Sequence, residues 1–195
     1  MRPIGTEEEV GAVRSIDELR AEHEGIKVML GVVEAICARI ESGGAVDSDD
    51  IPRIVEFFSV FADRCHHTKE EDLLFPALEA AGAPREGGPI GVMLEEHAQA
   101  RALIRAMRDA LSGLDDNSAG ALTAFAPSAL AYKALLEQHS EKENDILFAA
   151  AERVLPSDRD DELFEGFAEI ERERIGVGKH EEFHALLDAL SAKYL

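Results

Sequence analysis

Tryptophan is absent from this chain and tyrosine occurs only twice. With β-branched runs nearly missing as well, no segment reads as a strand. Cysteine is scarce. Cys37 and Cys65 are too few for a disulfide framework, and both fall inside helical patterns, where they read as reduced packing residues. No stretch approaches the roughly 18 apolar residues of a membrane span, and the N-terminus shows no apolar core ahead of a small-residue cleavage site. The expected location is therefore cytoplasmic. Basic residues are the remaining deficit: 20 Lys and Arg face 40 Asp and Glu, for a formal charge of −20. Such a field repels both a phosphate backbone and an anionic membrane, so no nucleic acid and no membrane is expected as a partner.

What is present is one domain's worth of helix formers. The chain has 195 residues, 46% of them hydrophobic, enough for one well-packed core. Ala, Leu, Glu and Arg dominate, with apolar residues three and four apart. Short acidic pieces such as Glu7-Glu8-Glu9 and Asp49-Asp50 read as solvated helix ends. After a loose tail over 1–14, Ser15 is placed to cap a first helix that Gly43-Gly44 stops. A second starts near Asp47 to Asp49, carries Pro52 in its first turn and ends at Gly82-Ala83-Pro84. A third spans Pro89 to Ser112. The fourth begins between Asn117 and Pro127, a proline that opens or kinks it, and runs to Leu155. Two shorter helices follow Pro156. The expected fold is all-α: an up-down-up-down four-helix bundle over 15–155, with a C-terminal helical extension over 156–195 packing on it.

An internal repeat carries the chemistry. His66-His67-Thr68-Lys69-Glu70-Glu71-Asp72-Leu73-Leu74-Phe75 in the second helix matches His139-Ser140-Glu141-Lys142-Glu143-Asn144-Asp145-Ile146-Leu147-Phe148 in the fourth, with Glu71 set against Asn144. Each is preceded by a Glu-His pair, Glu22-His23 and Glu96-His97, at a distance of 43 residues from His23 to His66 and 42 from His97 to His139.

Residues four apart share a helix face, about 6 Å apart along the axis, so His66 with Glu70 and His139 with Glu143 each form a two-ligand claw. Closing the hairpins brings His23, His66, Glu70, His97, His139 and Glu143 to one depth. A single HxxxE is usually a surface pair. Its duplication together with the upstream histidines points to metal. Two carboxylates buried among apolar residues cost several kcal/mol each unless a positive charge pairs with them, and no Lys or Arg recurs at the phase to do so. Imidazole and carboxylate ligands suit iron, manganese or zinc. Six of them are too many for one tetrahedral zinc and suit two ions bridged by the glutamates.

These residues resemble the hemerythrin-like (HHE) cation-binding domains, whose pattern of H, HxxxE, H, HxxxE is matched one by one over about 15–155. The resemblance implies two iron ions, non-haem and bridged by Glu70, Glu143 and an oxo or hydroxo group, with zinc or manganese as other metals the donors accept. The family's oxygen carriers have a further histidine four residues after the third-helix one. Here that position is Arg101, which sets reversible oxygen transport in doubt and favours sensing or reaction with oxygen, peroxide or nitric oxide.

Four residues are candidates for a further ligand or for a place around the site. His67 lies about 100° round from His66, at the edge of the inward face. His184 and His180 share the apolar stripe of the last helix, and Tyr132 is on the right face of the fourth but two turns away. Glu22, Glu96, Glu71 and Asp72 point away from the presumed ligands and are expected in solvent. The expected function is a di-iron protein that handles or senses oxygen, peroxide, nitric oxide or iron itself. The alternatives are a di-iron peroxidase or oxidase, or a bundle whose metal only staples the fold. A small diatomic or peroxide is the expected ligand, with a homo-oligomer or a signalling protein as macromolecular partner.

Overall fold

The computed structural model describes residues 13–113 and 118–195. Residues 1–12 of the expected tail, Glu7 to Glu9 among them, lie outside the described residues, as does Asn117. The described residues form six helices and no strand. α1 is Arg14–Glu41, α2 covers 50–80, α3 is Pro89–Ala110 with a tight extra turn Leu111–Gly113, α4 covers 118–154, α5 covers 157–175 and α6 is Lys179–Tyr194.

The expected helix ends are mostly made as foreseen. Gly43 has φ of 71°, and the amides of Gly44 and Gly43 donate to the carbonyls of Arg39 and Ile40, closing α1 with a left-handed cap that a Cβ would strain. One expectation is corrected, and the alternative left open at Pro127 is decided. Ser15 does not cap α1: it lies inside the helix, and the cap comes from α5. Asp160 accepts from the Arg14 and Ser15 amides, both at 2.9 Å, and from the Ser15 hydroxyl at 2.5 Å. Its carboxylate stands where the helix's partial positive charge is greatest. Pro127 does not open α4 but sits inside Ser118–Lys142.

Long π-helical stretches interrupt the second and fourth helices at the repeat itself: Phe58–His67 and Glu70–Leu74 in α2, Glu143–Phe148 in α4. A π turn is wider than an α turn, so successive side chains diverge less around the axis. This geometry keeps both His66 and His67 facing inward.

The apolar core divides in two. One cluster takes Ile26 to Cys37 of α1, Ile51 to Ala62 of α2, Ala100 to Met107 of α3 and Phe125 to Leu136 of α4. The other takes Ile16 and Leu19, Leu74 to Leu78, Ile90 and Met93, and Leu147 to Ala151. On every one of these helices the histidines and glutamates of the repeat lie between the two. α6 joins the first cluster, with Phe183 edge-on to Phe57 at 5.6 Å; α5 joins the second through Leu163 and Phe167. Cys37 and Cys65 are free and buried, and burial pushes their thiols up to about 11 and about 12. By length and composition, Ala119–Val154 of α4 is apolar enough to cross a membrane. It packs against α1 and α3, with 28% of its apolar window buried.

Candidate metal centre

Each of the four long helices brings its part of the repeat to the layer between the apolar clusters. His23, His66, His97, His139, Glu70 and Glu143 are all buried there, at 3% exposure or less. Their ligating atoms gather into two groups, His23, His66, Glu70 and Glu143 on one side, and Glu70, His97, His139 and Glu143 on the other. Both carboxylates belong to both groups. Glu70 divides its oxygens, Oε1 lying 3.4 Å from His66 Nε2 and Oε2 3.4 Å from His97 Nε2. Glu143 Oε2 lies 3.2 Å from both His23 Nε2 and His139 Nε2.

The outer nitrogens decide what the inner ones can do. His66 Nδ1 is 2.8 Å from Glu22, His97 Nδ1 is 2.7 Å from Glu71, and His139 Nδ1 is 3.0 Å from Glu96. A carboxylate can only accept, so each Nδ1 donates, and in the neutral imidazole Nε2 is left with a lone pair turned to the centre. Asn144 Oδ1 stands at 3.3 Å from His23 Nδ1 and serves the same role for the fourth ring. Acceptors then face acceptors: His97 and His139 hold their Nε2 atoms 3.2 Å apart. Among the described residues both oxygens of Glu70 and of Glu143, and Nε2 of His23 and His66, lack hydrogen-bond partners. Such an arrangement is unfavourable unless a cation sits among the lone pairs. The donor set therefore fits a pair of metal ions.

The two glutamates show the same pressure in the metal-free protein. Burial and the neighbouring Glu143 push Glu70 well above the ordinary glutamate range. Burial pushes Glu143 the same way, but His139 and His23 hold it well below that range.

The structure adds His67 to the layer. Fully buried, it lies flat on His97 and edge-on to His139, with ring centroids 3.8 and 5.7 Å away, and the three rings form a third ligand group. Burial, then His97 and His139, lower its pKa well below the usual value, so the imidazole is neutral and free to ligate. The other three candidates stand apart from the six. His184 is exposed and His180 half-buried, the two rings packing on each other at 4.6 Å. His180 groups with Glu22 and Glu171, but Lys69 Nζ already lies 2.6 Å from each of those carboxylates. Tyr132 is fully buried, with its ring 4.6 Å from Phe58 in the first apolar cluster.

Several residues expected in solvent are not there. Glu22 is buried, and Glu96 and Glu71 are largely so, because a side chain 100° from an inward one meets the next helix in a tight bundle. Only Asp72, paired with Arg174, is exposed. Lys69 is buried with them. It is 0% exposed, and its ammonium binds Glu18, Glu22 and Glu171 at 2.6 Å each, serving the carboxylate behind His66 and leaving Glu70 and Glu143 without a cation. Arg101, where oxygen carriers have a histidine, binds Asp63 at 2.6 Å and Glu71 at 2.8 Å. The sequence signal for these roles was the repeat itself, which carries Glu22 with Glu96, Lys69 with Lys142 and Glu71 with Asn144 in register.

A family model described as the hemerythrin HHE cation binding domain matches residues 14–151. Among curated proteins, uncharacterized proteins of Mycobacterium bovis and of Mycobacterium tuberculosis are each 23% identical over 175 residues, covering 90% of this chain and 68% of their own. No solved structure matches the chain.

Proposed function

Since the chain belongs to the hemerythrin HHE cation-binding domain family, we propose that it holds two iron ions within an up-down-up-down bundle and uses them to bind or react with oxygen, peroxide or nitric oxide. One observation carries the reading: Glu70 and Glu143 are common to two four-ligand groups, as two carboxylates bridging a pair of ions would be. The alternation of the two apolar clusters along successive helices supports the bundle topology.

The iron pair would supply exchangeable electrons and coordination positions; the protein supplies the rest. Glu22, Glu71, Glu96 and Asn144 hold the rings in the ligating tautomer. The apolar clusters above and below exclude water, which strengthens every charge interaction in the layer. His67 offers the His97 side three imidazoles against two on the His23 side, so with iron bound an exchangeable position would be expected beside His23 and His66. An unequal pair of this kind suits reaction or sensing better than a symmetric structural staple. Elemental analysis of protein produced with ample iron tests the proposal: two ions per chain are expected, with near-ultraviolet absorption bleached by dithionite and restored by air. A folded protein that takes none or one, or only colourless zinc, would overturn it.

A further inference from the structure

The two halves of the repeat differ in their outer grooves as well as in their ligands. On the His23 side, between α1 and α4, lies a cavity of about 420 Å³ lined by His23 and Asn144 together with Glu24, Lys27, Glu137 and Glu141. His23 is only 3% exposed, and its Nε2 has no hydrogen-bond partner. In the repeat register the corresponding positions of the other groove are Ala98, Arg101, Arg64 and Thr68, with Glu71 for Asn144 and His67 for Ser140. That groove is bridged by ion pairs. Arg101 clamps Glu71 and Asp63 together, and the His67 ring fills the space that Ser140 leaves free on the first side. The rim charges are reversed too: three carboxylates and one ammonium around the open groove, two guanidiniums and no carboxylate at the matching positions of the bridged one.

We propose that the α1/α4 groove is the port by which a hydrated divalent cation reaches the centre, with Glu24 and Glu141 drawing it in to the edge formed by Asn144 and His23. The proposal rests on the two-ion reading above. Six water molecules occupy about 180 Å³, so the cavity admits the ion with its hydration shell. Glu137 is held by Lys133 at 2.8 Å, which leaves Glu24 and Glu141 as the free carboxylates of the rim. Lys27 opposes them, and its repulsion keeps the groove from trapping the ion. Asn144 fits the same need, since its neutral carbonyl oxygen holds a cation more weakly than the carboxylate of Glu71 would. A protein of net charge −20 attracts cations from every side, and an acidic, low-dielectric groove focuses that attraction at one place. Neutral oxygen, peroxide and nitric oxide are indifferent to the rim charges, so charge substitutions separate cation loading from access of the reactant.

The test is stopped-flow uptake of Co2+, followed by its visible absorption, and of Fe2+ under nitrogen, into the metal-free full-length protein. Glu24→Gln with Glu141→Gln is expected to slow uptake about tenfold or more at low salt, a difference that fades as ionic strength rises. Lys27→Gln should accelerate it, and Ser140→Trp should slow it by blocking the cavity. Arg64→Gln on the bridged groove should change nothing. The final number of ions bound should be the same in all. Because both glutamates are surface residues, their double variant tests the port even if Ser140→Trp fails to fold. A parent that loads two ions, and a Glu24/Glu141 variant that loads them as fast at low salt, would overturn the port while leaving the centre intact. A parent that binds no cation would overturn both.

Discussion

His67 lies parallel to His97, the two rings 3.8 Å apart and within 16° of each other, although the ligand motif names only the second. Neither nitrogen of His67 has a hydrogen-bond partner among the described residues, and Asp63 approaches Nδ1 no closer than 3.5 Å. A ring nitrogen of His67 groups with those of His97 and His139 closely enough to share a metal ion. His67→Ala is expected to keep at least one ion while changing the absorption spectrum of the loaded protein, and the exposed His184→Ala to change neither. Metal analysis and spectra of the two side by side check this; identical spectra for His67→Ala and parent would remove His67 from the ligand set.

Glu71 puts a negative charge behind His97, where the repeat puts the neutral Asn144 behind His23. A carboxylate raises the basicity of the ring it supports, so Glu71→Gln should weaken metal binding by about 10- to 100-fold. Competition against a chelator of known affinity measures the change. Asn144→Asp is expected to move affinity in the opposite direction.

Lys69 is the cation on which three carboxylates converge, and it ties α5 to α1 through Glu171 and Glu22. Lys69→Met would leave those acids facing one another, and a loss of about 3–5 kcal/mol in urea unfolding is expected. Its counterpart Lys142 pairs with Glu96 at 36% exposure, and Lys142→Met should cost much less. Equal losses would show that burial of the charge is not what matters.

Acid should reveal Glu22. Burial raises the pKa of its carboxyl, but the His66 hydrogen bond and Lys69 overcome that and hold it down to about 2. A carboxyl lowered on folding contributes stability in full above its ordinary value near 4.5 and loses it as pH falls towards 2. Between those limits the metal-free parent should lose stability more steeply than Glu22→Gln. Parallel denaturation curves from pH 4.5 to 2 would refute the assignment.

Asp160 gathers the first amides of α1 from a different helix. Asp160→Ala leaves the buried amide and hydroxyl of Ser15 and the part-buried amide of Arg14 without this acceptor, at a cost of about 1–3 kcal/mol, and should raise amide exchange at the start of α1 before the rest of the chain is affected. Thermal melts with hydrogen exchange would show both.

The helices, most of their stops and the six histidine and glutamate positions that share one layer were legible in the residue pattern, because these depend on local facts. Apolar spacing sets the buried face, glycine sets the cap at Gly43, and a spacing of four sets the claws of His66 with Glu70 and His139 with Glu143. The same reasoning placed Glu22, Glu71 and Glu96 in solvent, since on an isolated ideal helix a residue beside an inward one turns away. Only the tertiary structure decided otherwise. There the neighbouring helix occupies that direction and offers a histidine nitrogen, so turning away from one ligand means supporting another. Whether His67 faces inward was likewise beyond reach of the residue pattern, because ideal α spacing turns it aside while α2 is π-helical over Phe58–His67. The asymmetry of the grooves combines both levels: the charges are written in the repeat, but the pairing of Arg101 with Glu71 and Asp63 exists only once α2 and α3 lie side by side.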